Sequence, residues 1–171
     1  LNDFFQRSGM ALLSCPDMAS AKERTDFYAN AHLQQRNIQH LVDEALPAQV
    51  DTYDPKQTIL EPTFFSEVLG IQGRMDFFSR SGDGPIIIEQ KSGKGDFVPF
   101  NSPDYDAKRP KPQEKHIVQL VLYRALCQYQ FHMGAELLNN SFLLYSKYEE
   151  GLRRMRPRRD LLFRALRLRN R

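Results

Sequence analysis

The stretch GPIIIEQKSGKGD, residues 84–96, carries an apolar run directly into Glu89, Gln90 and Lys91. Three successive isoleucines read as the centre of a buried strand. Glu and Lys are rarely buried unless paired, so their place at the end of such a strand calls for a chemical reason. Side chains alternate across a strand, which puts Glu89 and Lys91 on one face and Gln90 on the other. Thirteen residues upstream, Asp76 interrupts another apolar segment, GRMDFF. Carboxylates on neighbouring strands make a hard oxygen site of the kind that Mg²⁺ or Mn²⁺ takes. A lysine beside them can steer a water or stabilise charge on a phosphate.

The elements around these residues must bring them together. SGDG, residues 81–84, is a turn signal between two apolar runs, and it predicts a hairpin of residues 71–80 with 85–92. Upstream, SAKE at 20–23 has the spacing of a capping box. It predicts a helix running to about Leu46, where Pro47 stops it. Residues 58–80 read as strands punctuated by Pro62 and Gly70, and residues 1–19 as an irregular or short helical lead-in. Residues 93–115 are a long loop rich in Gly, Pro, Asp and Lys. HIVQLVLYRALCQYQFHMG is a helix ending at Gly134, SFLLYSKY at 141–148 a strand, and RDLLFRALRLRNR a basic amphipathic helix. The order α, three strands, α, β, α predicts an α/β domain with a central mixed β-sheet flanked by helices.

Composition fits a soluble globular domain: 41% of the 171 residues are hydrophobic and 26% charged, and the net charge is +3. That balance points only weakly to an anionic partner. Cys15 and Cys127 are too few for a four-cysteine zinc or iron–sulfur site. Free thiols in a reducing, cytoplasmic setting are expected. No run approaches the length of a membrane span, so no membrane partner is expected. The opening and closing stretches read as those of a domain cut from a longer protein.

GRMD, twelve intervening residues and EQK together resemble the D…(D/E)-x-K core of the PD-(D/E)XK nuclease superfamily. QLVLY places Gln119 and Tyr123 four apart on one helix face, and this Q-x-x-x-Y element is similar to that of the RecB-like branch. The resemblance covers about residues 38–146. It implies a restriction-endonuclease-like core and metal-dependent hydrolysis of DNA phosphodiesters, with single-stranded or flap DNA as substrate. The truncated-looking start and end hint at a helicase or other module in the same parent chain. Asp76 and Glu89 would hold Mg²⁺ or Mn²⁺ with the Gln90 carbonyl. Lys91 would orient or deprotonate a water, or stabilise developing charge. Gln119 and Tyr123 would position the strand or brace Lys91. IQHLVDEAL resembles the branch's upstream histidine motif, making His40 a further metal ligand, with His32 as its substitute. Glu67 in SEVLGIQGRMD matches an acid that often precedes the aspartate. The proline that commonly precedes that aspartate is replaced by Met75. With two cysteines, no iron–sulfur cluster is expected.

Lys94 in SGKGD stands where it could touch a phosphate. The loop that follows is either an unstructured insertion or a single-strand-binding element. In the second case Lys108 and Arg109 would supply charge, and Phe97, Phe100 and Tyr105 would supply stacking faces. The domain is expected to span all 171 residues, with a core over about 20–148 and a basic tail over 152–171. The tail would either bind a nucleic-acid backbone or dock on the rest of the parent protein.

Overall fold

The structure is a computed structural model that describes residues 1–80, 82 and 84–170, with the backbone alone for Leu137. Ser81 and Asp83 of the predicted turn lie outside the described residues.

The long first helix begins where its cap predicts. Ser20 Oγ accepts the Glu23 N–H at 3.1 Å, and Glu23 Oε2 accepts the Ser20 N–H at 2.8 Å. Two short helices, α1 (Asn2–Arg7) and α2 (Gly9–Leu13), precede it, and α3 spans Ala21–His40. Phe5 packs edge-on against Tyr28 of α3 with ring centroids 4.5 Å apart. Beyond His40 the helix widens into a π turn, Leu41–Ala45. The Leu46 N–H bonds the Leu41 carbonyl at 2.9 Å. This five-residue step lets Leu41 and Leu46 both turn inward, 2% and 0% exposed.

Among the described residues, five strands form the main sheet. β1 (Thr58–Leu60), β4 (Phe77–Ser79), β5 (Ile86–Lys91), β6 (Ser141–Tyr145) and β7 (Leu152–Arg154) lie side by side in that order. β5 and β6 are parallel and the other pairs antiparallel, so the sheet is mixed. A parallel pair needs a crossover, and α4 (Glu114–Gln130) provides it. Ile87 of β5 faces the cluster that includes Leu120, Tyr123 and Leu126 of α4. Ile86 and Ile88 face Leu41, Leu46 and Val50 on the other side. Helical layers thus cover both faces of β5. Each fully buried isoleucine contributes about 1.5–3 kcal/mol, so this strand is firmly held.

Several boundaries differ from those expected. The segment 71–80 is not one strand: β3 (Ile71–Arg74) pairs with β2 (Thr63–Ser66) in a separate ribbon, and β4 pairs with β1 and β5. The ribbon bends at Met75–Asp76, opposite Glu61–Pro62. Met75 N–H bonds the Pro62 carbonyl at 3.0 Å, and Glu61 N–H bonds the Asp76 carbonyl at 3.1 Å. Glu61 adopts φ 54°, a left-handed backbone that costs a non-glycine residue about 1–3 kcal/mol. α4 ends at Gln130, and His132, at φ 51°, turns the chain before Gly134. The strand from Ser141 ends at Tyr145. β7 falls within the basic tail, where a strand was not expected, and α5 spans Arg159–Arg169.

Gly73 lies where β3 meets α4. A Cβ there would sit 2.7 Å from Tyr123 Cε1 and 3.1 Å from Leu126 Cδ1. Tyr123 is buried and held by hydrogen bonds on two sides, so it yields poorly. Gly73→Ala is expected to lower the unfolding free energy by about 1–3 kcal/mol, measured by urea denaturation. A loss below about 0.5 kcal/mol would mean that this contact gives way freely.

Candidate functional site

β4 stops pairing with β5 at Phe77↔Ile88, so Glu89, Gln90 and Lys91 run past its end. The Asp76 side chain fills that gap. Its Oδ2 accepts the Gln90 N–H at 2.7 Å. The bend at residues 75–76 therefore aims the carboxylate at β5, and the exposed amide of β5 locks it there.

On the α4 face a continuous chain of hydrogen bonds runs through the site. Tyr123 Oη donates to the Arg74 carbonyl at 2.6 Å and accepts Gln119 Nε2 at 2.9 Å. Gln119 Oε1 accepts Lys91 Nζ at 2.9 Å, and Lys91 also donates to Glu89 Oε1. The direction of the chain is fixed by its ends. The tyrosine hydrogen is used on a carbonyl, so its oxygen accepts from the amide nitrogen, which leaves the amide oxygen for the ammonium. Reversing the Gln119 amide would set its NH₂ group against the lysine.

Glu89 is 3% exposed, and its Oε2 has no hydrogen-bond partner among the described residues. Burial raises its pKa, the neighbouring Asp76 carboxylate adds to that, and Lys91 counteracts both. Burial likewise raises Tyr123. An orphaned buried carboxylate oxygen is costly and needs an explanation such as a bound ion. With Asp76 half-buried alongside, the donors are oxygens of the type that Mg²⁺ or Mn²⁺ prefers. The Asp76 and Glu89 carboxylates are thus donors of the chemical type that a hard divalent cation takes.

The remaining expected residues have partners or exposure of their own. His40 is exposed and its Nδ1 lies 3.2 Å from Glu44 Oε2. Among the described residues no three His, Cys, Asp or Glu side chains are grouped to hold a metal ion, so His40 does not stand with Asp76 and Glu89 as a third such ligand. His32 packs near the Phe5 ring at 6.0 Å. Glu67 is exposed at the β2–β3 turn, where its carbonyl accepts Gly70 N–H at 3.2 Å.

Lys94, Lys108 and Arg109 are exposed on the loop between β5 and α4. That loop is folded. Asp96 and Lys111 exchange backbone hydrogen bonds of 3.1 and 2.7 Å, and Phe97 packs on Tyr148 at 5.4 Å. Lys108 Nζ is 2.9 Å from Glu149 Oε2 on the surface, where solvent screens the pair.

Residues not singled out from the sequence also adjoin Lys91. Ser146 N–H bonds the Lys91 carbonyl at 3.0 Å, and Asn37 of α3 donates to the Ser146 carbonyl at 2.9 Å. His116, one turn before Gln119, pairs through Nδ1 with Tyr145 Oη at 2.9 Å. Its spacing of three from Gln119 was the available signal.

The burial of Glu89 has a pH signature. A carboxyl with a raised folded pKa favours folding in its protonated form. That contribution is complete below the unfolded value of about 4.3 and is lost as pH rises through the folded value. Without divalent metal, Glu89→Gln is therefore expected to gain stability relative to the parent as pH rises from about 4 to about 8. Urea melts across that range measure it, and a flat difference would mean that Glu89 is not desolvated. No family model matches this chain, and no curated protein is significantly similar to it.

Proposed function

We propose that this chain is a metal-dependent DNA nuclease, a PD-(D/E)XK protein of the RecB-like type with a restriction-endonuclease-like core. The observation that carries this reading is the unbroken chain Tyr123–Gln119–Lys91–Glu89 beside Asp76, which ends in an unpartnered carboxylate oxygen. A structural ion pair would have no need of an unsatisfied oxygen, because burying one without compensation is destabilising.

Asp76, Glu89 and the Gln90 carbonyl would hold Mg²⁺ or Mn²⁺. When bound, such an ion polarises a phosphate and lowers the pKa of a coordinated water. Lys91 stands between the carboxylates and α4. From there its ammonium stabilises charge on the phosphate or handles the proton of the attacking water. Gln119 fixes the direction of Lys91, and Tyr123 fixes Gln119. This bracing confines a flexible four-carbon side chain to one position, which serves the positioning half of catalysis. Single-stranded or flap DNA is the substrate class of this reading. Lys94, Lys108 and Arg109 would supply backbone contacts from the folded loop.

Labelled single- and double-stranded DNA and RNA, incubated with Mn²⁺, Mg²⁺ or EDTA, test the reading. DNA cleavage is expected with metal and not with EDTA. Lys91→Ala should reduce the rate by about 100-fold or more. Cleavage that survives both EDTA and Lys91→Ala would sink the mechanism, and cleavage of RNA alone would reassign the substrate.

Metal binding has its own readout. Mn²⁺ is expected to raise the Tm of the parent by preferential binding to the folded state, and to do so much less in Asp76→Asn. Equal shifts in the two proteins would place the metal elsewhere.

A further inference from the structure

Tyr145 is completely buried, yet its hydroxyl is fully engaged. Oη accepts the backbone N–H of Gln113 at 3.1 Å and lies 2.9 Å from Nδ1 of His116. A phenol has one hydrogen to give. Its oxygen already accepts from Gln113, so a hydrogen turned toward Nδ1 is the arrangement that satisfies both the phenol and the imidazole nitrogen. A neutral imidazole that accepts at Nδ1 carries its proton on Nε2. In that arrangement Tyr145 sets the tautomer of His116.

The location of this pair gives it meaning. Tyr145 is the register partner of Lys91 across the parallel β5–β6 pair. His116, Gln119 and Tyr123 lie at i, i+3 and i+7 of α4, on one face. The imidazole thus adjoins Lys91 on the side away from Tyr123. Nδ1 is turned inward to a buried hydroxyl, so Nε2, across the ring, is directed away from it, and the residue is partly exposed.

Two lysines and one acid stand near His116. Burial, Lys91 and Lys115 all hold its pKa below the ordinary histidine range. Asp96, the acid that opposes them, is already engaged by Gln113 Nε2 at 3.1 Å.

We propose that His116 presents Nε2–H as a fixed donor to a non-bridging oxygen of the substrate phosphodiester beside Lys91, and that Tyr145 is the positioning residue that holds it in this tautomer. The proposal rests on the nuclease reading, and its test separates the two. Long-range ¹H–¹⁵N NMR of the whole labelled chain should show His116 protonated at Nε2 and bare at Nδ1, and Tyr145→Phe should relax this to a mixture. In single-turnover cleavage with Mn²⁺, His116→Ala should lose about 10-fold or more. His116→Gln, whose amide N–H can take the place of Nε2–H, should recover a large part of that loss. Tyr145→Phe should fall between the parent and His116→Ala.

A parent protonated at Nδ1 would overturn the proposal. So would His116→Ala that cleaves like the parent, or His116→Gln no better than His116→Ala in a folded protein. Failure of the nuclease reading would show instead in the parent, which would cleave nothing. A single-stranded oligonucleotide titrated with Ca²⁺ then decides: a shift at His116 Nε2 sustains the proposal, and none overturns it.

Discussion

A carboxylate buried on a sheet strand beside a second carboxylate is the demand around which this molecule is arranged. Taking Glu89 out of water costs several kcal/mol even after relaxation, and Asp76 adds repulsion. Two features bear that cost. The apolar body of β5, three isoleucines at 0–2% exposure, anchors the strand. Lys91, two residues on and on the same face, supplies the opposing charge. Removing either one would leave the other without its partner in a largely desolvated place, so Glu89 and Lys91 constrain each other.

The second carboxylate depends on backbone. Asp76 reaches Gln90 because the strand that would have paired there bends away. The bend is shared between Met75–Asp76 and Glu61–Pro62, with Glu61 held at positive φ. It also separates the β2–β3 ribbon from the main sheet and brings Gly73 under the Tyr123 ring. The absence of a side chain at 73 allows Tyr123 to approach closely enough to reach the Arg74 carbonyl. One local distortion therefore places both Asp76 and the far end of the chain that braces Lys91.

What could be read beforehand was local or periodic. The Ser20–Glu23 cap, the isoleucine strand and the four-residue spacing of Gln119 and Tyr123 are short-range patterns, and each stands where expected. The mixed sheet flanked by helices followed from the alternation of element types. The bend at 75–76 was hidden because residues 71–80 have strand character throughout, and the partner that breaks them apart lies near residue 61. β7 was hidden by its arginines: Arg154 lies over the Phe142 ring at 5.1 Å, so a charged residue works there as packing. The place of His40 depends on which way the last turn of α3 faces, and it faces outward to Glu44. His116 escaped notice because its partner Tyr145 lies 29 residues further on.

Burial of charge does not by itself mark a site, and Arg124 makes the contrast. The residue is 7% exposed, and among the described residues its guanidinium has no carboxylate hydrogen-bond partner. It donates to Ser141 Oγ at 3.1 Å and to the Ala135 carbonyl at 3.5 Å, tying the turn after α4 to the start of β6. Those groups are used up in holding the fold. At Glu89 the network begins at the Arg74 carbonyl, passes through Tyr123, Gln119 and Lys91, and stops at a carboxylate whose Oε2 has no hydrogen-bond partner among the described residues. A half-satisfied buried network is less stable than an apolar core of the same shape. Under the proposed function, a divalent cation beside Asp76 would supply the partner that Glu89 Oε2 lacks among the described residues.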